Sequence, residues 1–242
     1  MASATFVLLH GAWHGGWCWQ RVAEPLAAAG HRVYTPTQTG LGERAYLLSP
    51  EITLETFIRD LLEVLEGEDL QDVILVGHSF GGLVITGAAD RVPERIRHLV
   101  YLDALVLESG QTPFSMVPPD VAQARRALAR ESSGGLSIPP PSADAFGITD
   151  PDDAAWVEAK CTPHPLATYE DCLRLRGPVG NGLPATYVAV SPDYPPFSRC
   201  REFARRQPGW EYRVIDAGHD AMVTSPSAVT DLLLEIQRRY QP

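Results

Sequence analysis

Short apolar runs alternate with amphipathic stretches along most of this chain. The apolar runs predict strands near residues 4–10, 31–36, 72–78, 96–103, 185–191 and 210–216. Apolar residues at helical spacing predict helices near residues 18–29, 53–67, 80–91, 197–207 and 225–240. Strands that alternate with helices are typical of a mostly parallel sheet with helices on both faces, so the predicted fold class is α/β.

The alternation stops between about Leu105 and Leu183, where the chain is rich in proline. Short helical patterns remain there, at Val121–Arg130, Asp152–Lys160 and Leu166–Leu175. We interpret residues 105–183 as a helical cap inserted after the strand that ends near residue 103, and residues 1–104 and 184–242 as the core. Such an insertion would cover a site at the sheet edge and exclude water from it.

A G-x-S-x-G pentapeptide, Gly77–Gly81, follows the apolar run 73–76 directly. Glycine on both sides of Ser79 lets a strand turn at once into a helix, because a Cβ there would collide with neighbouring backbone. Such a turn strains the serine and holds its hydroxyl clear of the sheet. The motif therefore predicts Ser79 as a nucleophile.

A serine hydroxyl needs a base, and after a strand–turn–helix serine the partners follow in the order acid, then histidine. His219 lies between the strand-like run 210–215 and a helix that Ser225-Pro226 would begin, so we predict it as the base. His98, at a strand entrance, is interpreted as a partly exposed structural residue. His164, between two prolines, is interpreted as a residue on the cap surface.

Two aspartates compete for the role of the acid that orients the base. Asp193 and Asp103 each follow a predicted strand, at the sheet edge where parallel sheets build their sites. We prefer Asp193 and keep Asp103 as its rival. Asp216 and Asp220 are interpreted as loop residues, too close in sequence to His219 to align its ring.

The strand-like run 6–9 leads into a glycine-rich loop, residues 10–17. Open backbone of this kind suits close approach to a substrate carbonyl. The N–H groups of Ala12 and Phe80 are therefore the predicted oxyanion hole. Trp13 and His14 are the predicted substrate-pocket residues.

Composition narrows the functional classes. The 242 residues are 45% hydrophobic and 21% charged, as expected of one globular domain. A net charge of −10 without a Lys/Arg run argues against nucleic acid as a partner. No apolar run approaches the ~20 residues of a membrane span, and no signal peptide is predicted.

Four cysteines, at positions 18, 161, 172 and 200, have neither C-x-x-C spacing nor the density of a disulfide scaffold. They predict free thiols and a cytoplasmic location. Metal-ligand spacings and nucleotide-binding motifs are absent from the sequence, so the predicted chemistry needs no metal or cofactor.

The loop 9–17, the pentapeptide 77–81 and Gly218-His219-Asp220 resemble the α/β-hydrolase superfamily. Within it they are most similar to the cap-bearing group of plant methyl esterases, hydroxynitrile lyases and bacterial carboxylesterases. The resemblance covers nearly the whole chain. It implies the α/β-hydrolase fold, with Ser79 as nucleophile, His219 as base, Asp193 as acid, and the Ala12 and Phe80 amides as the oxyanion hole.

The lyases of that group carry a lysine just after the histidine and a threonine in the first loop, where this chain has Asp220 and Ala12. A carboxylate would repel departing cyanide, so lyase activity is not expected. The predicted function is a serine carboxylic-ester hydrolase acting through an acyl-enzyme on a small to medium, apolar or aromatic ester. A non-catalytic ligand receptor and an acyltransferase are the alternatives. The expected partner is a small-molecule ester, and the chain is compatible with a monomer or a homodimer.

Overall fold

The computed structural model describes residues 3–240. Its strands are β1 (Thr5–Leu9), β2 (Arg32–Tyr34), β3 (Val73–His78), β4 (Ile96–Leu102), β5 (Ser137–Ile138), β6 (His164–Pro165), β7 (Ala185–Ser191) and β8 (Trp210–Asp216). Six of them form one sheet in the order β2-β1-β3-β4-β7-β8, and each of its described pairings is parallel. The predicted strands and the α/β class are confirmed.

The helices are α1 (Gln20–Ala28), α2 (Leu54–Gly67), α3 (Gly81–Arg91), α4 (Pro119–Ser133), α5 (Pro151–Lys160), α6 (Ala167–Glu170), α7 (Ser198–Arg206), α8 (Ala221–Thr224) and α9 (Pro226–Arg239). The pattern at Leu166–Leu175 predicts too long a helix. The backbone turns extended at Asp171, with ψ of 146°, so α6 ends after one turn. Within residues 3–240, no helix combines the length and apolar character needed to cross a bilayer.

Helix α2 shows how local sequence builds these elements. Thr53 begins it with a capping box, in which the side chains of Thr53 and Thr56 each accept a hydrogen bond from the other residue's backbone N–H. The helix buries one apolar face, formed by Leu54, Phe57, Ile58, Leu61 and Leu65. This face packs against the core, while the opposite face stays polar.

The strand order brings three chain segments together at one edge of the sheet. Strand β3 lies between β1 and β4, with Leu9 paired to Gly77 and His78 paired to Leu102. Because the strands are parallel, the loops that follow β1, β3 and β4 leave the sheet side by side. The predicted nucleophile, the glycine-rich loop and Asp103 are therefore neighbours.

Helix α3 starts in close contact with these loops. A Cβ on Gly81 would lie 2.7 Å from the carbonyl oxygen of His10, and a Cβ on Gly82 would lie 2.3 Å from that of Leu105. Only glycine permits this approach, which presses the start of the helix against both neighbouring loops.

The 105–183 segment follows β4 and contributes no described strand to the central sheet. Its short strands β5 and β6 pair with each other in antiparallel fashion instead. The segment also carries α4, α5 and α6. Its division from the core at residues 104/105 and 183/184, as a cap, stays a prediction.

Candidate active site

Ser79 occupies a strained turn between β3 and α3. Its φ is +53°, in the left-handed region that residues other than glycine rarely adopt. A Cβ on Gly77 would lie 2.7 Å from the carbonyl oxygen of Gly81, so the turn needs glycine on the strand side. The Ser79 carbonyl accepts a 2.9 Å hydrogen bond from the Leu105 N–H, which ties the turn to the loop after β4.

The imidazole of His219 links Ser79 to a carboxylate. Its Nε2 lies 3.0 Å from Ser79 Oγ, and its Nδ1 lies 2.7 Å from Asp103 Oδ2. Tyr194 stacks on the ring with centroids 4.0 Å apart and an interplanar angle of 12°. Phe197 packs edge-on at 5.1 Å. The imidazole is held by two adjacent aromatic rings and along its hydrogen-bonding axis.

The sequence-based preference for Asp193 as the carboxylate on this imidazole is wrong. Asp193 has a side chain that is 79% exposed and forms an ion pair with Arg201, whereas Asp103 is fully buried and contacts His219. Both aspartates follow neighbouring strands of the sheet. The loop after β7 turns Asp193 outward. Asp103, which has a φ of +38°, directs its carboxylate towards Nδ1 of His219.

Arg201 supports Asp103 from the side opposite His219. Its Nη2 donates a 2.8 Å hydrogen bond to Asp103 Oδ1, leaving Oδ2 for the imidazole. Burial by itself would raise the pKa of Asp103, but His219 and Arg201 outweigh burial and lower it. Asp103 is therefore ionised at neutral pH. An ionised Asp103 keeps the imidazole proton on Nδ1 and leaves Nε2 free to accept a proton from Ser79.

Two backbone N–H groups close in sequence to Gly11 and Ser79 have no acceptor among the described residues. Within residues 3–240, the amides of Ala12 and Phe80 donate no hydrogen bond to any other group, although both residues are buried. A Cβ on Gly11 would lie 2.7 Å from Ser79 Cβ, so the loop after β1 runs in contact with Ser79. Unused buried donors are costly, and they suit a site that receives an oxygen carrying negative charge.

A narrow cavity of about 30 Å³ opens onto Ser79 and His219. Its walls are mostly apolar or aromatic and come largely from the 105–183 segment and the loop after β7. They are formed by Trp13, Leu105, Pro113, Val117, Arg125, Phe146, Tyr169, Tyr194, Pro196 and Phe197. Trp13 thus lies where the sequence predicts a pocket residue.

His14 does not line this cavity, so its assignment to the substrate pocket is wrong. Its Nδ1 lies 2.8 Å from the Ala12 carbonyl oxygen and its Nε2 lies 2.9 Å from Asp220 Oδ2. Asp220 lies in the loop before α8, as predicted, but it is fully buried. Its second oxygen lies 3.6 Å from Nε2 of His78, which also lies 3.0 Å from the His219 carbonyl oxygen.

This buried cluster carries one compensated pair of charges. Burial opposes the charge on His14, yet Asp220 prevails and the pKa of His14 rises well above its usual value. Burial likewise opposes the charge on Asp220, but His14 lowers its pKa. Burial, with a smaller contribution from His219, lowers the pKa of His78 to about 3, so His78 is neutral.

His78, His219 and Asp220 also present ligand atoms within 4.8 Å of one another, close enough to hold a metal ion. The two ring nitrogens of His219 are already engaged by Ser79 and Asp103. A metal ion would have to displace one of these contacts.

Two further histidines differ from expectation. His164 is fully buried rather than on a surface, because its Nδ1 receives the Trp13 N–H at 3.4 Å and its Nε2 lies 2.8 Å from Thr168 Oγ1. His98 is structural, as predicted, but it is fully buried against Thr186 rather than partly exposed. The loop after β1 and strand β7, both distant in sequence, provide this burial.

The variant Asp220→Asn is expected to lower the free energy of unfolding by about 3–5 kcal/mol near pH 5.5, because it leaves a buried His14 without its counter-charge. A raised histidine pKa stabilises the fold fully below its ordinary value of 6.5, and this contribution is lost as pH rises through the raised value. The lowered pKa of Asp220 contributes above its ordinary value of 3.8. The deficit should therefore be largest between these values and shrink in alkaline buffer.

Urea unfolding of both proteins at pH 5.5 and at alkaline pH measures this difference. The exposed Asp216→Asn is the matched control and should leave stability nearly unchanged at both values. A deficit that is the same at the two pH values would show that the ion pair is not its source.

Comparisons with known proteins find relatives over nearly the whole chain. Residues 6–232 match the model of the Alpha/beta hydrolase family. A carbendazim hydrolyzing esterase from Nocardioides sp. (strain SG-4G) is 44% identical over 239 residues, which cover 95% of this chain and 98% of that protein. Methylesterase 10 of Arabidopsis thaliana is 26% identical over 253 residues, covering 97% and 92% of the two chains.

Among solved structures, an extracellular alpha/beta-hydrolase from a Paenibacillus species superimposes with a TM-score of 0.84 at 26% identity. The match covers 96% of this chain and 98% of that one. That protein is described as sharing structural and functional homology with tobacco salicylic acid binding protein 2.

Proposed function

Because this chain belongs to the alpha/beta hydrolase family, we propose that it is a serine carboxylic-ester hydrolase that works through an acyl-enzyme. The observation that carries the proposal is the continuous contact from Ser79 Oγ through the His219 ring to Asp103, at 3.0 and 2.7 Å. These are the distances over which a base can take the serine proton and be oriented by an acid.

In the first half of the proposed reaction, Ser79 Oγ attacks the ester carbonyl carbon and its proton passes to His219 Nε2. The carbonyl oxygen becomes an oxyanion, which the N–H groups of Ala12 and Phe80 stabilise. Asp103 stabilises the imidazolium that forms. The bond from carbon to the leaving oxygen then breaks, and His219 gives its proton to the departing alcohol.

In the second half, a water molecule gives a proton to His219 Nε2 as its oxygen attacks the acyl carbon. The same two amides stabilise the second oxyanion. The bond to Ser79 Oγ breaks, Ser79 regains the proton from His219, and the carboxylic acid leaves. The site returns to its starting state without a metal or cofactor in any step.

The proposed substrate is a small to medium ester with an apolar or aromatic part. The cavity beside Ser79 is lined mostly by apolar and aromatic side chains, which favour flat, apolar groups. Carbendazim is a rational member of a test panel because a relative is named for its hydrolysis. The four cysteines are free, which supports the expected reducing, cytoplasmic location.

The test is multiple turnover with product analysis on a panel of 4-nitrophenyl acetate, butanoate and benzoate, together with carbendazim. A hydrolase should turn over its best substrate at about 1–10³ s⁻¹ and release the free acid as product. Binding without turnover beyond one equivalent would indicate a receptor. An acyl product on added alcohol or amine that exceeds the free acid would indicate an acyltransferase.

A further inference from the structure

Arg125, on α4 of the 105–183 segment, is half-buried in the wall of the cavity that holds Ser79 and His219. Its guanidinium carbon lies 5.9 Å from the centre of the Trp13 ring and 5.5 Å from that of Tyr169. The cation thus lies beside two neighbouring aromatic rings of the same cavity. It is the sole permanently charged side chain among the described residues that line it.

No acidic side chain neutralises this cation. Within residues 3–240, no carboxylate oxygen comes within 4.0 Å of the Arg125 guanidinium, whereas the adjacent Arg126 pairs with Glu170 at 2.8 Å. An exposed cation gains little from an acidic partner, but a cation in an aromatic cavity has lost part of its water. Cation–π contacts with the Trp13 and Tyr169 rings offset only part of this lost hydration free energy.

The charge of Arg125 also reaches groups on other walls. Burial raises the pKa of Tyr194 to about 12, and Arg125 opposes that rise. Burial, then His10 and then Arg125 lower the pKa of His164, which lies behind Trp13. Arg125 therefore places a positive charge within reach of several walls of the cavity, in a chain whose net charge is −10.

We propose that Arg125 binds a carboxylate on the substrate, so that the preferred substrates are aromatic esters that carry an anionic group. A guanidinium presents N–H donors in a planar fork that matches a carboxylate, and such charge-assisted pairs are the stronger hydrogen bonds. Trp13 and Tyr169 would pack against the aromatic part while the carboxylate takes the place of the missing acidic partner. This inference rests on the proposed esterase function.

The test compares acid and amide pairs of esters, which differ in charge but little in size. One pair, 3-acetoxybenzoate and 3-acetoxybenzamide, carries the group on the alcohol side. The other, the 4-nitrophenyl monoester of terephthalic acid and 4-nitrophenyl 4-carbamoylbenzoate, carries it on the acyl side. The measured quantity is the ratio of kcat/KM for the acid to that for the amide.

In the wild-type protein this ratio should exceed about 10 for at least one pair, as expected for a charge-assisted contact. Arg125→Gln should lower the ratio about 10- to 100-fold, and Arg125→Lys should lower it less because the charge remains. Arg130→Gln is the matched control, since it removes an exposed arginine from the same helix and should leave the ratio unchanged. A wild-type ratio near one for both pairs, or a ratio that Arg125→Gln does not alter, would overturn the inference.

A binding measurement tests this inference independently of the proposed reaction. Titration calorimetry with 3-acetoxybenzoate compares Ser79→Ala with the double variant Ser79→Ala/Arg125→Gln, in which no turnover is required. The Kd should rise about 10- to 100-fold in the double variant. Equal Kd values would reject a carboxylate site. Absence of hydrolysis by the wild-type protein, with the Kd difference intact, would instead reject only the esterase mechanism.

Discussion

Replacing Ser79 by alanine is expected to lower kcat for 4-nitrophenyl butanoate by roughly 10⁴- to 10⁶-fold. The variant lacks the oxygen that is proposed to form the acyl bond, while the proposed oxyanion hole, the amides of Ala12 and Phe80, stays in place and should support a small residual rate. The backbone strain at a φ of +53° is about the same for alanine as for serine, so the midpoint of thermal unfolding should change little. Initial rates and thermal unfolding of the purified proteins measure both effects.

A second readout identifies the reacting atom. A 4-nitrophenyl phosphonate should release 4-nitrophenolate and add one phosphonyl group to the wild-type protein, at the peptide that carries Ser79, and should leave Ser79→Ala unmodified. Ser132→Ala, a change of an exposed serine on α4, is the control and should label at the wild-type rate. Retained ester turnover in a folded Ser79→Ala would exclude the acyl-enzyme mechanism.

Asp103→Asn is expected to lower kcat by about 10⁴-fold, while Asp193→Asn should stay within about 3-fold of wild type. An amide at position 103 can donate to Nδ1 of His219, which would move the ring proton to Nε2 and prevent it from accepting the Ser79 proton. Asp193 is 79% exposed and its ion pair with Arg201 is screened by water, so its removal should change little. Both variants remove one negative charge, which makes each the control for the other.

The measurement is kcat for 4-nitrophenyl butanoate together with circular dichroism and thermal unfolding. Asp103→Asn leaves Arg201 with Asp193 as an anionic partner, so the fold should survive the change. A folded Asp103→Asn with near wild-type kcat, or an equal loss in Asp193→Asn, would contradict the role proposed for Asp103.

Local sequence patterns predict the positions of the core strands and helices and two residues of the candidate site. The strand and helix positions of the core follow from apolar periodicity, and each predicted core strand appears in the structure. The turn at Ser79 follows in part from Gly77, because the clash that this glycine avoids is with the nearby carbonyl of Gly81. His219 is identified by its place between the last strand and the last long helix.

Features that depend on distant partners are less well predicted. The burial of Asp220 and His14 rests on a contact between residues 206 positions apart, and nothing near either residue indicates it. Asp220 adjoins His219, but its side chain points into the protein. The sequence therefore predicts that Asp220 lies in a loop but does not indicate that its side chain is buried against His14.

For this protein, the sequence by itself determined the α/β class, the order of the core elements, and the meeting of Ser79 with His219. Those depend on hydrophobic period, on glycines that permit one turn, and on chain order. Only the tertiary structure showed that Asp103, and not Asp193, contacts His219. It also showed that His14 and His164 are buried and that Arg125 lines the cavity. A side chain's direction at the end of a strand, and the charges it meets, depend on segments that folding brings from far along the chain.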